Sequence, residues 1–483
     1  MKNNHRHVAR LSAVLAAAVL AGCANYAGIE SQAKLRTAQD VGIPQQAEGA
    51  AQPQVSPQWW TAFGDPQLDH LVDQALQGSP NLRVAQARLA RAQSVQELAR
   101  SATLPQAEAS AEVNRERFSA TNIYPPPLGG STQNLSTLRL GGSWELDFFG
   151  KNRQALEAAL GASRAAQADV AAARVLLSAN VARSYFQLAR LEDQLQVAQR
   201  TLAQREEQLR LVRDRVTAGL DTTLEERQSQ GAIPETRQQI EALQEQVQLT
   251  RNALAALVGQ SDLKLEPRSL AQAKPLAIPS VVPADLLGRR ADIAAARWRV
   301  EAATHDIASA KAQFYPNVNL TAFIGLSSIG LNRLIQSDSE EYGLGPAIHL
   351  PIFDAGRLRA NLRGRTADLD LAVESYNGAL LDAVRDVADQ LASSQSIARQ
   401  QSQQREAQAA AESAYEIAVQ RYRAGLGTYL NVLTAETAVL NQRRLAVDLA
   451  GRALDTQVQL ARALGGGFQA DPDTLRLASQ NTR

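Results

Sequence analysis

The sequence is poor in cysteine, methionine and aromatic residues. Its 483 residues include a single cysteine, Cys23, a single methionine, Met1, and only 5% aromatic residues. One thiol excludes disulfides and thiolate metal sites within the chain, and one methionine gives no support for a thioether path for soft metals. The scarcity of aromatic residues, beside abundant Ala, Gln, Leu and Arg, indicates long packed helices rather than a bulky core.

Histidine is also scarce, and its spacing carries no chemistry. The five histidines are His5, His7, His70, His305 and His349. They show neither metal-ligand nor catalytic-triad spacing. The sequence therefore predicts no catalytic residue and no metal site, and we do not expect an enzyme.

An excess of one charge and long apolar runs are missing as well. Lys and Arg number 50 and Asp and Glu number 49, for a net charge of +1. Since nucleic-acid binders carry a basic face, no nucleic-acid partner is expected. After residue 23 the sequence has no apolar run long enough for a transmembrane helix. The chain could cross a membrane only with β-strands, the other structure that satisfies every backbone group in lipid.

The first 22 residues have the pattern of a secretory signal peptide. Basic residues precede the apolar run LSAVLAAAVLAG, which is too short to span a bilayer. The run ends in LAGC, which resembles the lipobox of bacterial lipoproteins, where the cysteine becomes the lipidated N-terminus after cleavage. Ala24, rather than Asp, follows it, which resembles sorting to the outer membrane. We therefore expect a signal peptide at 1–22 and a segment, 23–65, with a covalent lipid such as palmitate on Cys23 as its only added group.

The rest of the chain contains two copies of one unit. Asn81–Arg88 aligns with Asp292–Arg299, and Arg215–Thr222 matches Arg421–Thr428 with five of eight residues identical. Because the matches occur in the same order, they indicate an internal duplication. The predicted boundaries are 66–260 for the first repeat, 261–283 for a linker, 284–464 for the second repeat and 465–483 for a C-terminal tail.

Each repeat contains two segments that alternate between apolar and polar residues, the period of a two-faced strand. The four segments are 106–117, 135–148, 317–328 and 342–352. A half-buried sheet in a soluble protein gives the same alternation, and the signal peptide and lipobox favour the membrane. Four strands cannot close a barrel, and open edges are not tolerated in lipid, so the barrel must be shared between chains. Two chains give too few strands for an open duct, and three are favoured.

A very long helix follows the second strand of each repeat. Residues 352–471 contain no proline and are rich in helix formers. The helix runs roughly seventy residues, about 100 Å, to a helix-ending glycine: Gly425, and Gly219 in its copy. A second helix then returns. We also expect one continuous helix over Leu68–Thr103 and a kink or break near Gly231 to Pro234.

Several of these motifs together resemble one known family. GLGPAIHLPIFDAGR, LLGRRADIAAARWRVEAATHDIASAKAQFYPNVNLTAFIG, the repeated RxxAGL turns and the lipobox are similar to the outer-membrane factor family, the TolC-like and OprM-like group, in its NodT-type lipoprotein branch. The resemblance covers essentially the whole mature chain. It implies a membrane α+β fold: a homotrimeric duct with a 12-stranded shared transmembrane β-barrel, four strands per chain, and a long periplasmic α-helical coiled-coil barrel.

The same resemblance implies a function and its partners. The protein would be the outer-membrane exit duct of a tripartite efflux system, as in multidrug resistance, lipid-anchored in the outer membrane with its helical tunnel in the periplasm. It would conduct small molecules passively from an inner-membrane efflux transporter through a periplasmic adaptor (membrane fusion) protein. Two alternatives stay open: the duct of a protein secretion system, which would share this fold, and a periplasmic coiled-coil scaffold.

Site residues are also carried over by resemblance. Family members close the periplasmic end of the tunnel with rings of side chains after the second helix turn, and the matching positions are Leu430, Asn431 and Thr434. Family ducts often carry aspartates in this zone; the neutral residues here lack the fixed negative potential on which a cation-binding gate depends. The alternative is that these side chains pack between helices. The turns expected to face the adaptor contain Gly219, Leu220, Gly425 and Leu426.

Overall fold

The computed structural model describes residues 26–37, 39–42, 55–276 and 289–469. In this part of the chain the helices and strands follow the order α1 (Pro66–Gly78), α2 (Pro80–Ser101), β1 (Gln106–Arg117), β2 (Thr132–Leu146), α3 (Lys151–Thr217), α4 (Thr223–Val258), α5 (Ala291–Ala312), β3 (Asn317–Ile329), β4 (Glu340–His349), α6 (Arg357–Arg423) and α7 (Tyr429–Ala463). The predicted signal peptide, Cys23, part of the predicted linker and most of the predicted tail lie outside the described residues. No helix within the described ranges combines the length and the apolar character needed to cross a membrane.

The four strands form one antiparallel sheet in the order β1-β2-β3-β4. The register sets apolar residues of neighbouring strands side by side, as in the row Ala109, Leu140, Ile324 and Tyr342. Large side chains of this face are exposed within one chain: Leu138, Leu140, Ile324, Tyr342, Leu344 and Ile348. A contiguous exposed apolar face of this kind requires an apolar environment.

The opposite face of the sheet is polar and carries an ion pair across the middle strand. Arg139 on β2 reaches over Gly325 on β3 to Glu341 on β4, with 2.6 Å between Nη2 and Oε1. Its guanidinium carbon lies 4.4 Å from the centre of the Phe323 ring. A Cβ at Gly325 would lie 2.5 Å from the carbonyl oxygen of Leu138. Glycine therefore keeps the strands in close register while the ion pair crosses above it.

The two long helices, α3 and α6, have 67 residues each, in agreement with the predicted length. The helices that return from them, α4 and α7, have 36 and 35 residues. The prediction of one helix over Leu68–Thr103 was wrong, because α1 ends at Gly78 and α2 begins at Pro80. Ser79 between them is extended, the conformation that a residue before proline prefers.

Of the kink or break expected near Gly231 to Pro234, the break does not occur, because α4 runs from Thr223 through Pro234 to Val258; the kink stays a prediction. The carbonyl oxygen of Ala232 accepts hydrogen bonds from Thr236 Oγ1 at 2.8 Å and from Arg205 Nη1 at 3.0 Å. Proline removes the donor to the carbonyl of Gln230, four residues earlier, so these bonds add to the same turn without replacing the missing one. Arg205 belongs to α3, so they also tie α4 to a neighbouring helix.

The chain forms two compact units. The first is the described part of Met1–Leu35, Arg88–Ala166 and Ala295–Tyr376, and it contains the sheet. The second is the described part of Arg36–Ala87, Gln167–Ala294 and Asn377–Arg483. Each unit draws segments from both predicted repeats.

In the first unit, the segment that follows Cys23 in sequence is fastened to α5 and α6. Ile29 is buried in a cluster with Phe314 and Leu362, and the Tyr26 ring packs edge-on against Phe314 at 5.8 Å. Ser31 Oγ donates a hydrogen bond of 2.6 Å to Asp370 Oδ1. Because Phe314 lies just before β3, the segment is held close to the strands.

The core of the second unit forms where the 3-10 turn Trp59–Phe63 packs on α3. Phe63 lies edge-on to Phe186, with 4.8 Å between ring centres. Asp65 caps α1 by accepting hydrogen bonds from the N–H groups of Gln67 and Leu68. The other oxygen of this carboxylate accepts a 2.6 Å hydrogen bond from the buried hydroxyl of Tyr185 on α3. Burial, and then the Asp65 carboxylate, raise the pKa of Tyr185.

We therefore expect Tyr185→Phe to destabilise the second unit by about 1.5–3 kcal/mol, the worth of a hydrogen bond to a charged group. The measurement is thermal unfolding of the purified protein in detergent, with Tyr124→Phe as the control because that ring is exposed. An unfolding temperature for Tyr185→Phe equal to that of the control would contradict the expectation.

Candidate functional site

The two helix returns, in the second unit, have one backbone design. We call residues 218–222 tip 1 and residues 424–428 tip 2. The N–H groups of Leu220 and Leu426 each donate a 2.8 Å hydrogen bond to the carbonyl of an arginine five residues earlier, Arg215 and Arg421. The glycines before them, Gly219 and Gly425, have φ of 74° and 72°. A residue in the left-handed conformation is needed to close this turn, and glycine adopts that conformation most readily. The two long helices therefore end at the predicted glycines.

The tips differ in how the returning helix begins. At tip 1, Thr222 and Glu225 form a capping box: the Thr222 hydroxyl accepts from the N–H of Leu224, and the Glu225 carboxylate accepts from the N–H of Thr222. At tip 2, Thr428 precedes α7 without a side-chain hydrogen bond to it. The residue of α7 equivalent to Glu225 of α4 is Asn431. The start of α7 is therefore less firmly held than the start of α4.

A cluster of three side chains joins α3 and α6 to tip 1, and we call it the tip cluster: Arg215, Asp221 and Tyr422. The Arg215 guanidinium binds the Asp221 carboxylate with two hydrogen bonds, of 2.8 Å from Nε and 3.2 Å from Nη2. The Tyr422 hydroxyl donates to the same carboxylate, and the guanidinium carbon lies 4.6 Å from the Tyr422 ring centre. Both charged side chains are mostly buried. The cluster ties α6 to tip 1.

The electrostatics of the tip cluster follow from this geometry. The hydrogen bonds from Arg215, and then from Tyr422, lower the pKa of Asp221 below its usual range. The Asp221 carboxylate in turn raises the pKa of Arg215. Burial, followed by the hydrogen bond to Asp221, raises the pKa of Tyr422. Asp221 is therefore ionised, and Arg215 and Tyr422 protonated, throughout the neutral range.

Apolar packing surrounds the tip cluster. Tyr422 is buried with Val212, Tyr429 and Val432, so α3, α6 and α7 share one small core at this end. The Tyr422 and Tyr429 rings lie 5.6 Å apart. The start of α7 is thus held to the rest of the second unit by its Tyr429 and Val432 face.

The predicted constriction residues lie on another face of α7. Leu430 is 63% exposed, and Asn431 and Thr434 are also exposed. Thr434 Oγ1 donates to the carbonyl of Leu430 at 2.9 Å, which places the two side chains one turn apart on the same face. The predicted adaptor-facing residues Leu220 and Leu426 are 64% and 69% exposed. Within one chain, the side chains of Leu220, Leu426 and Leu430 therefore do not pack between helices.

Sequence analysis missed Asp221 and Tyr422. A signal was present, because Asp221 is one of the three positions at which the two copies of RxxAGLxT differ: tip 2 has Gly427 there. An acidic residue that follows a helix-ending glycine by two positions and a repeated arginine by six is a candidate for an ion pair with that arginine. Among the described residues there is no group of three or more His, Asp or Glu side chains that could hold a metal ion.

The sequence and the fold both match known proteins. The family described as "Outer membrane efflux protein" matches residues 71–260 and 282–466. The chain is 33% identical over 426 residues to "Multidrug resistance outer membrane protein MdtP" of Escherichia coli (strain K12), covering 86% of this chain and 87% of the relative. It is 37% identical over 366 residues to "Fusaric acid resistance protein FusA" of Burkholderia cepacia, covering 74% of this chain and 69% of that protein.

Among solved structures, the outer membrane protein VceC of Vibrio cholerae is similar with a TM-score of 0.81 and 38% sequence identity, covering 86% of this chain and 100% of VceC. The fold described above is thus shared with an outer-membrane protein. With most of its length matched by the family, the chain belongs to the outer membrane efflux protein family.

Proposed function

We propose that three copies of this chain close one duct, which carries small molecules out of the cell as the last part of a tripartite efflux system. The observation that carries this proposal is the sheet, whose exposed apolar face has open edges at β1 and β4. Backbone groups at such edges must be paired when they lie in lipid. Pairing β1 of one chain with β4 of the next completes a closed sheet of twelve strands in the homotrimer, and lipid covers its apolar face.

The polar face then lines the interior of the duct. Its Arg139–Glu341 pair and its small residues suit a hydrated channel that does little selecting. A passive duct needs no cofactor and no catalytic residue, and the covalent lipid on Cys23 serves only as an anchor. The described segment that starts at Tyr26 is fastened beside the start of β3, which supports an anchor close to the membrane.

The narrow end of the duct lies at the tips in this proposal. Leu430 of three chains forms an apolar constriction with Asn431 and Thr434 beside it, supported by their exposure on one side of α7. An apolar ring blocks ions by excluding water. The tip cluster keeps α6 against tip 1 and so holds this end narrow. The exposed turns at Leu220 and Leu426 dock the periplasmic adaptor protein, which links the duct to an inner-membrane transporter.

Leu430→Ala is expected to raise the single-channel conductance in planar bilayers severalfold, because it widens the apolar constriction. The internal duplication supplies the control, since Leu224 is the equivalent exposed residue after tip 1. Leu224→Ala should leave conductance unchanged. Equal conductance of Leu430→Ala and the wild type would remove Leu430 from the constriction.

Asp221→Asn is expected to raise the open probability of the channel, because it removes charge-assisted hydrogen bonds worth about 1.5–3 kcal/mol. The lowered pKa of Asp221 means that its contribution exists above the ordinary carboxyl range and is lost only as pH falls through the still lower folded value. The change in the free energy of opening caused by Asp221→Asn, relative to the wild type at the same pH, should therefore stay constant from about pH 5 to about pH 8.

The control for Asp221→Asn is Glu226→Gln, which breaks the partly exposed pair with Arg213 near the same tip. Such pairs contribute about 0–1 kcal/mol. Equal open probabilities for Asp221→Asn and Glu226→Gln would mean that the tip cluster does not hold the narrow end.

Cysteines placed at Leu220 or Leu426 should crosslink to the adaptor in cells, because both turns are exposed. Lipidation consumes the thiol of Cys23, so the introduced cysteine is the only free thiol and the wild type should not react with a maleimide. Leu249→Cys, at an exposed position within α4, is the control. Absence of adaptor crosslinks at both tips would refute docking there, and maleimide labelling of the wild type would refute the lipid.

A further inference from the structure

A glutamate is buried on the packed side of α7, close to the predicted constriction. Glu436 is 2% exposed and lies two residues beyond Thr434. Two residues turn a helix by about 200°, so Glu436 faces away from the exposed side that carries Thr434. It shares the buried face with Val432 and Val439, at helical spacings of four and three. Glutamate is almost never this buried unless it is paired.

The pairing of Glu436 is incomplete. Its Oε2 lies 3.3 Å from Nη2 of Arg205 on α3. Its Oε1 is buried and has no hydrogen-bond partner among the described residues. An ionised carboxylate at this position therefore has one oxygen facing a cation and one with no donor, a costly arrangement for a buried charge.

Arg205 is shared with another helix, which limits what it gives to Glu436. Its Nη1 donates to the Ala232 carbonyl at 3.0 Å and to Thr236 Oγ1 at 2.9 Å, both on α4. The same nitrogen lies 3.7 Å from Glu235 Oε2. Arg205 thus binds α4 whether or not Glu436 is charged.

The other charged and titratable groups that face Glu436 do not supply the missing donor. Arg443, further along α7, is held by two hydrogen bonds, of 2.7 and 2.6 Å, to Glu412 on α6. Glu235 on α4 opposes the charge of Glu436. Two tyrosines are the remaining titratable groups near Glu436. Tyr415 on α6 accepts hydrogen bonds from Gln204 and Gln208 of α3. Tyr429 belongs to α7, as Glu436 does.

Burial is the largest influence on Glu436 and raises its pKa above the ordinary value, although Arg205 opposes the shift. A group whose pKa is raised in the packed state binds protons more tightly there than when it is released to water. Its contribution to packing is therefore fully present below the unfolded pKa and is lost as pH rises through the packed-state pKa.

We propose that Glu436 is a proton-responsive seat for α7: proton uptake by its carboxyl group favours the packing of α7 on α3 and α4 and so keeps the constriction narrow. The link to the constriction rests on the function proposed above. Tip 2 is the end where this seat acts most directly, because α7 begins there without a side-chain cap. Acidification of the periplasm then narrows the duct, and a return to neutral pH loosens it.

Hydrogen exchange of the full-length protein in detergent tests the seat independently of conduction. Wild type and Glu436→Gln are compared at the same pH, in peptides that cover residues 429–440. At about pH 8 the variant should exchange more slowly, by up to about tenfold for each unit by which the pKa of Glu436 is raised. At about pH 4, below the ordinary pKa of a glutamate, the two proteins should exchange alike. The wild type alone, corrected for intrinsic exchange, should be better protected at the lower pH.

The control is Glu416→Gln, an exposed glutamate on α6, which should match the wild type at every pH. Faster exchange of Glu436→Gln than of the wild type at the higher pH, or equal exchange at all pH values, would overturn the proposal. A wild type that is less protected at low pH would overturn it as well, even if the glutamine variant failed to fold.

Single-channel recording separates the seat from the constriction. The open probability of the wild type should rise from about pH 5 to about pH 8 and that of Glu436→Gln should stay low. If exchange behaves as expected while Leu430→Ala leaves conductance unchanged, the constriction is wrong and the seat stands. If Leu430→Ala widens the pore while exchange is the same for both proteins, the seat is wrong and the constriction stands.

Discussion

Backbone N–H and C=O groups in lipid must find their hydrogen bonds within protein, and the other features of this chain are consistent with that demand. β2 and β3 are paired on both sides, whereas β1 and β4 each have one free edge. A single chain therefore cannot supply hydrogen-bond partners for the free edges of β1 and β4 in a membrane. The proposed trimer solves this at the edges, and it also explains why the apolar face of the sheet is exposed in one chain while Arg139 and Glu341 occupy the other face.

Local patterns predicted the elements of this fold well wherever one period ran without interruption. β1 has the predicted bounds because its alternation is complete from Gln106 to Arg117. β2 starts at Thr132 rather than at residue 135, because pairing with β1 extends into polar residues that show no alternation. β4 ends at His349, earlier than predicted, because Pro351 cannot donate to a ladder. The split at Pro80 was visible in the sequence, whereas the hydrogen bond from Arg205 to the Ala232 carbonyl was not, since it joins two different helices.

The candidate site was predictable only in its exposed part. Glycine and leucine at each tip mark a helix end, and Leu430 follows from the resemblance of the second turn to its family. The tip cluster and Glu436 depend on which helices lie side by side, and no periodicity within one helix contains that information. Glu436 lies at helical spacing from Val432 and Val439, which places it on their face, but its partner Arg205 is on another helix and cannot be inferred from this spacing. The two carboxyl groups also differ in the direction of their pKa shift. The pKa of Asp221 is lowered because Arg215 and Tyr422 donate hydrogen bonds to its carboxylate. The pKa of Glu436 is raised by burial, and one of its oxygens has no hydrogen-bond donor. One fastening is constant over the neutral range, and the other responds to pH.

The capping box at Thr222 and its absence at Thr428 give the two halves of a duplicated chain different mechanical characters. A cap of this kind stabilises the start of a helix by about 0.5–2 kcal/mol, so the first turn of α7 frays more often than that of α4. The hairpin of the first repeat is therefore the stiffer one at its tip, and that of the second repeat is the more pliable one. In a ring of three chains, stiff and pliable hairpins then alternate around the circumference. Such a ring yields at three evenly spaced places, so that it can widen symmetrically while its remaining walls stay upright.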